Sequence, residues 1–209
     1  MSYLVFDLEM TGDDPYWHDI IQIGACLYDK DWKELGRYLQ NVYPENEEGF
    51  SKPSEEVHGL SWEELQSAPM LHEVLPAFEN WIIETVSKRK NLQDFEKERI
   101  LRQTKLCGQG VNTDLAFLKE AYRKEKQTWH FPYVAFDLQQ FWIFLSRVMQ
   151  SNGYDVPQSL SLKAIAGYFE LERESDLHNA LEDAVLTGEC LKRVLAYTKK
   201  LVLEDEDEE

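Results

Sequence analysis

Apolar and polar positions divide the chain into a strand-rich first quarter and a helix-rich remainder. Residues 3–7 form a short apolar run, and 20–28 (Ile-Ile-Gln-Ile-Gly-Ala-Cys-Leu-Tyr) a longer one; both predict buried strands. A third strand is expected over 36–43, where Tyr38, Leu39, Val42 and Tyr43 recur. The polar Asp-Lys-Asp-Trp-Lys turn between the last two suggests an antiparallel hairpin or meander. After Pro44 comes an acidic loop, then short helical turns over 54–66 broken at Gly59. Leu71, Val74, Leu75, Phe78, Trp81, Ile82 and Val86 fall at helical spacing and predict an amphipathic helix over 70–86. A more exposed helix is expected over 88–103, a strand over 105–111, a helix over 113–126 and a short strand over 133–136. Helices at 138–150, 160–168 and 179–200 complete the pattern. A meander followed by alternating helices and strands predicts an α/β layer on a mixed central sheet. No repeat or linker interrupts it, so residues 1–203 read as one domain.

Composition supports a folded core: 43% of residues are hydrophobic and 12% aromatic. No apolar run is long enough to span a bilayer, so no membrane partner is expected. The N-terminus lacks a basic region before its apolar stretch and reads as a strand, not a signal peptide; a cytoplasmic location is the expectation. Cys26, Cys107 and Cys190 are far apart and lack metal-site spacing, and Cys26 and Cys190 read as core residues. The net charge of −17 argues against a nonspecific nucleic-acid coat. Residues 204–209 are all acidic and are expected to form a disordered tail, leaving −11 for the body. Between Lys88 and Lys126, eleven Lys/Arg face six Asp/Glu. That segment is either a phosphate track or a solvated helix face laced with i,i+4 ion pairs.

Three short motifs carry candidate chemistry. Asp7 and Glu9 end the first predicted strand two residues apart, so period-2 geometry puts both on one face. Two carboxylates in apolar surroundings repel each other unless a cation lies between them, and Mg²⁺ or Mn²⁺ prefers such oxygen ligands. Asp114 follows Gly110 and Asn112 at a strand-to-helix junction, where a helix cap and a metal ligand are both compatible with the pattern. His178 and Asp183 are five residues apart, which on one regular helix separates them by roughly 140° at ~3.6 residues per turn. They converge only if His178 precedes the helix. Asn179 with Glu182 three positions on has the form of a capping box that would start the helix there. Asp183 then sits on an apolar face with Ala180, Ala184, Val185, Leu191 and Val194, where an unpaired carboxylate is expensive.

Taken together and in this order, the motifs resemble the DEDDh exonucleases. Asp7-x-Glu9 with Thr11-Gly12 is similar to that family's first motif, Asn112-x-Asp114 with Phe117-Leu118 to its second, and His178 with Asp183 to its third. Ile20–Ala25 is similar to the family's second strand and Val57–Ser61 to its His-Gly loop. The likeness implies a ribonuclease H-like fold: a mixed five-stranded sheet, its first three strands a meander, flanked by helices. Residues 84–104 are longer than compact members need and read as a helical insertion.

The resemblance also implies an activity: 3′→5′ hydrolysis of single-stranded DNA or RNA to nucleoside 5′-monophosphates. Two Mg²⁺ or Mn²⁺ ions would be held by Asp7, Glu9, Asp114 and Asp183, with His178 as general base. Met10, Thr11, His58, Leu60, Asn112 and Phe117 are expected around the terminal nucleotide, with core packing equally open for Met10, Leu60 and Phe117. A polymerase or a second copy is a possible partner, docked through the acidic tail or residues 84–104. A non-catalytic interaction module on the same fold is the alternative from another class.

Overall fold

The computed structural model describes residues 1–89, 91–173 and 177–200; the acidic run 204–209 and Lys90 of the basic segment lie outside them. The first strand is β1 (Ser2–Met10), followed by β2 (Ile20–Tyr28) and β3 (Glu34–Asn41). Helices α1 (Lys52–His58), α2 (Trp62–Leu65), α3 (Leu71–Ser87) and α4 (Asp94–Gln103) lead to β4 (Thr104–Gly108). Then come α5 (Asn112–Lys124), β5 (Ala135–Asp137), α6 (Leu138–Ser151), α7 (Leu162–Tyr168) and α8 (Ala180–Ala196). The expected elements are all present, with ends shifted by a few residues. The largest shift is in the exposed helix, which starts at Asp94 and not near 88.

The five strands form one sheet in the order β3-β2-β1-β4-β5. β1, β2 and β3 pair antiparallel as a meander, whereas β4 and β5 run parallel to β1. β2 is buried along its whole length, as a central strand covered on both faces must be, whereas β3, at the sheet edge, is only partly buried.

Alternation along β1 separates the two sides of the sheet. Leu4, Phe6 and Leu8 join a core formed with α3, α4 and α5, through Val74, Phe78, Leu101, Leu118 and Tyr122 among others. Residues 84–104 are thereby part of the fold, since α4 buries Leu101 in this core. Val5 faces the other way, into a core with Cys26, Cys107, Trp142 of α6, Ile165 of α7 and Cys190 and Leu191 of α8. All three cysteines are free and buried.

Helix α8 lies unusually close to the sheet, and Gly24 is the reason. A Cβ on Gly24 would fall 2.0 Å from the carbonyl carbon of Ala180 and 2.1 Å from the nitrogen of Leu181. Only a residue without a side chain lets the start of α8 press on β2 there. Gly24→Ala is expected to push α8 off the sheet and cost about 3 kcal/mol of stability, as overpacking of a tight core does. Urea unfolding checks this; an unchanged midpoint would mean that the contact tolerates a methyl group.

Candidate active site

The pairing of β1 with β4 ends at Val5 and Cys107, so the second half of β1 runs on beside the start of α5. The acidic residues gather there. Asp7 and Glu9 share the face of Val5 and stand opposite Gly24 and Gln22 of β2. Asp114 enters from the first turn of α5, and its Oδ1 accepts a hydrogen bond from the Leu8 amide at 3.1 Å. It satisfies the strand and not its own helix, whose N-cap residue Val111 makes no side-chain cap bond. The turn before α5 is pinned by Asp137, whose Oδ1 accepts from the amides of Gly110 at 3.0 Å and Gln139 at 2.9 Å.

Asp183 comes from the buried face of α8, with its side chain 5% exposed. Asn179 caps that helix, accepting from the amides of Leu181 and Glu182 at 3.1 and 3.2 Å. His178 therefore precedes the helix, as convergence with Asp183 requires. Its amide donates to the Val57 carbonyl at 3.0 Å, and its Nδ1 lies 3.3 Å from Asp183 Oδ2. Gln22 ties the helix start to the sheet: its Oε1 accepts from the Ala180 amide at 3.0 Å, and its Nε2 donates to Asn41 at 2.8 Å.

Asp7, Glu9, Asp114, His178 and Asp183 all line one cleft of about 610 Å³. One ligand atom from each of Glu9, His178 and Asp183 lies within 4.8 Å of the others. Burial, then repulsion from Asp114, Glu9 and Asp183, raises Asp7 well above the usual carboxylate range. Burial, then Asp183 and Asp114, pushes Glu9 up to about 8. Burial pushes Asp114 up to about 7 against the bond from Leu8. Burial also raises Asp183, opposed first by Arg173. Burial and Arg173 lower His178, which favours the neutral ring.

Arg173 is the cation inside this group. Its Nη2 donates to Asp183 Oδ2 at 2.8 Å, its Nε lies 2.6 Å from Oδ1, and its Nη1 donates to His178 Nε2 at 3.0 Å. Because guanidinium only donates, Nε2 must accept, which places the ring proton on Nδ1, toward Asp183. Glu9 Oε1 is buried with no hydrogen-bond partner among the described residues. A hard divalent cation fits a donor set of four carboxylates with an unsatisfied buried oxygen.

The other expected residues divide. Met10 and His58 line a second cavity of about 440 Å³ that also touches Glu9 and Thr113. His58 Nδ1 accepts from the Leu60 amide at 3.0 Å, and its buried Nε2 has no partner. Gly59, left-handed at φ +70°, ends α1 and makes that turn possible. Thr11 is fully buried and accepts from the Asp19 amide, and Phe117 is 2% exposed and packed in the core. Leu60 is half-buried outside both cavities, and Asn112 is exposed on the first turn of α5. Arg173, Gln22 and Gly24 escaped sequence reasoning as site residues; a lone arginine before the third motif was the one available signal for the first. Of the basic segment, Arg89, Lys97, Arg102 and Arg123 pair with local carboxylates and Lys124 with the distant Asp19, and the basic side chains lining the cleft are Lys163 and Arg173.

A family model described as RNase_T, Exonuclease, matches residues 4–191. Over 201 residues the chain is 24% identical to the DNA polymerase III PolC-type of Thermotoga petrophila, with 96% of this chain and 12% of that protein covered. The corresponding protein of Thermotoga maritima is 25% identical over the same length, again with 12% of it covered. The chain thus spans about 12% of the length of these curated relatives. Among solved structures, the nuclease domain of 3′hExo, a DEDDh family member bound to rAMP, aligns with a TM-score of 0.71 at 16% identity, covering 98% of this chain and 96% of that one. E. coli exonuclease I in complex with a dT13 oligonucleotide aligns with a TM-score of 0.75 at 14% identity, covering 95% and 42%. The shared fold is the ribonuclease H-like mixed sheet flanked by helices.

The raised carboxylates have a thermodynamic consequence. Glu9, ordinarily near 4.5, holds its proton in the folded protein up to about 8, so ionising it at higher pH removes stability. Burial lowers His58 and His178, which acts in the opposite sense, but only below the ordinary histidine value of 6.5. In EDTA, the urea midpoint is expected to fall between about pH 6.5 and about pH 8. Mn²⁺ should reverse that fall, and Glu9→Gln should flatten it. A midpoint constant over this window would contradict the placement of Glu9.

Proposed function

The chain belongs to the RNase_T exonuclease family, and from that premise we propose that it removes nucleotides from the 3′ end of single-stranded nucleic acid as nucleoside 5′-monophosphates. One observation carries this reading: four carboxylates and a neutral imidazole converge on one cleft from β1, α5 and the start of α8. Asp7, Glu9, Asp114 and Asp183 would hold two Mg²⁺ or Mn²⁺ ions. Bound there, these ions would supply positive charge for the transition state and a more acidic water.

The chain's own residues account for the proton and the orientation. His178 accepts the water's proton at Nε2 while Asp183 steadies the ring through Nδ1. The water oxygen bonds to phosphorus as the bond to the departing 3′-oxygen breaks, leaving the phosphate on the released nucleotide. The cavity lined by Met10, His58 and Thr113 adjoins the carboxylates through Glu9 and is the seat assigned to the terminal nucleotide. Its walls suit any base, consistent with an end-directed and not sequence-directed enzyme.

A second reading has specific support, because the relatives matched by sequence are DNA polymerases. In it, the same hydrolysis serves as proofreading beside a polymerase. Co-purification of this chain with a polymerase subunit supports it; full activity of an isolated monomer on free RNA counts against it.

The test uses 5′-labelled single-stranded DNA, matched RNA and the corresponding duplex with Mn²⁺. A ladder shortening from the 3′ end is expected, with mononucleotide as product. Asp7→Ala should abolish release without unfolding the protein, and His178→Ala should slow it on the order of 10²-fold, as loss of a general base does. Wild-type rates in Asp7→Ala, after removal of contaminating nuclease, would refute the assignment.

A further inference from the structure

Arg173 holds two groups that the proposed hydrolysis needs. Its guanidinium spans both oxygens of Asp183, at 2.8 Å from Nη2 and 2.6 Å from Nε. Its third nitrogen donates to His178 Nε2 at 3.0 Å. The Nε2 lone pair is the one that must take a proton from water, and a donor already uses it. Both oxygens of Asp183 likewise face a cation that a divalent ion would have to displace. The ion pair is shielded, with the Arg173 side chain 20% exposed and that of Asp183 5% exposed. Its net contribution is offset by desolvation, but removing either partner leaves the other charge buried and uncompensated, so Arg173 leaves Asp183 only when another cation replaces it. Catalysis and this arrangement exclude each other.

The structure also contains a place for the displaced side chain. Arg173 lines the 610 Å³ cleft and, at the same time, an adjoining cavity of about 320 Å³ bounded by Ala166, Gly167, Leu171, Glu172 and Leu186. Lys163 lines both as well. The protein carries a net charge of −17 and repels a polyanion at long range, so phosphate must be met locally. Lys163 and Arg173 are the lysine and arginine side chains on the cleft wall. A guanidinium fork matches a phosphate as well as it matches a carboxylate.

Taking the site as cation-dependent, as proposed above, we infer that Arg173 is an exchangeable cation. It neutralises Asp183 and caps His178 in the apoprotein. When a divalent ion takes Asp183, Arg173 turns away, frees Nε2 and binds the substrate phosphate beside Lys163. Metal binding and readiness of the general base are thereby coupled through one side chain.

The exchange predicts opposite changes in two affinities, measured by calorimetry without turnover. The probes are Mn²⁺ titrated into the apoprotein, and AMP, which has no phosphodiester to cleave, titrated into the Mn²⁺-loaded protein. In Arg173→Met, Mn²⁺ should bind on the order of tenfold more tightly, because its competitor is gone, and AMP on the order of tenfold more weakly. Arg173→Lys keeps the charge but loses the fork, and should shift both affinities the same way by less. It also serves if the methionine variant folds poorly. A residue that merely braced the chain would move both affinities down together or leave both unchanged, and either result overturns the exchange. If the wild-type protein itself binds neither Mn²⁺ nor AMP, the proposed function falls with it. If the wild type binds both and the variants match it, the exchange alone is wrong.

Discussion

Asp7, Glu9, Asp114 and Asp183 gather at one cleft, and burial raises all four above the ordinary carboxylate range, with repulsion from the other site carboxylates adding to it for Asp7 and Glu9. Glu9 and Asp183 offer oxygens within 4.8 Å of one another. Ionised together at that separation they would repel by about 3 kcal/mol at an effective dielectric of ~20, which is one reason Glu9 keeps its proton up to about pH 8. That repulsion is a large fraction of the roughly 5–15 kcal/mol by which a typical domain is stable. Such a cluster persists where the fold over-determines it and protons or cations compensate it. The neighbouring structure supplies the first, and Arg173, paired with Asp183, supplies part of the second. The β1–β2 register sets Asp7 and Glu9 on one face, Gly24 admits the start of α8, Gln22 ties that start down, and the Leu8 amide holds Asp114.

The same repulsion explains why the site suits a metal-assisted reaction better than a proton-transfer pair of carboxylates. Two carboxyls alone could share a proton and settle. Four of them beside an imidazole kept neutral form a set that divalent ions can complete and a single proton cannot. Arg173 fits this picture as the internal counter-charge, since it meets the one carboxylate that also faces the histidine. The acidity of the whole chain, unusual for an enzyme acting on a polyanion, then becomes a matter of local supply. Cations stand at the cleft wall, whereas Arg89, Lys97, Arg102 and Arg123 of the basic 88–126 segment pair with neighbouring carboxylates.

Much of this was legible in the sequence because it is local. Period 2 places Asp7 beside Glu9, and the five-residue gap forces His178 ahead of α8, where Asn179 does cap. The buried strands and amphipathic helices follow from their spacing, with errors confined to their ends. What stayed hidden depends on distant contacts. The bond from Ala180 to Gln22 joins residues 158 positions apart, and no local pattern marks Gly24 as a contact point for a helix backbone. Arg173 stands in a stretch with no periodicity, so its role emerges only from its position in space. Phe117 takes the packing alternative that its apolar helical position left open, and Thr11 is buried beyond the end of β1.

The most direct test of the central claim, that the clustered carboxylates exist to hold divalent cations, is anomalous diffraction at the manganese edge from crystals grown with Mn²⁺. Peaks are expected in the cleft, bounded by Asp7, Glu9 and Asp183, with Arg173 turned away from Asp183. Crystals that show no manganese there, with the Arg173–Asp183 pair intact, would contradict the account.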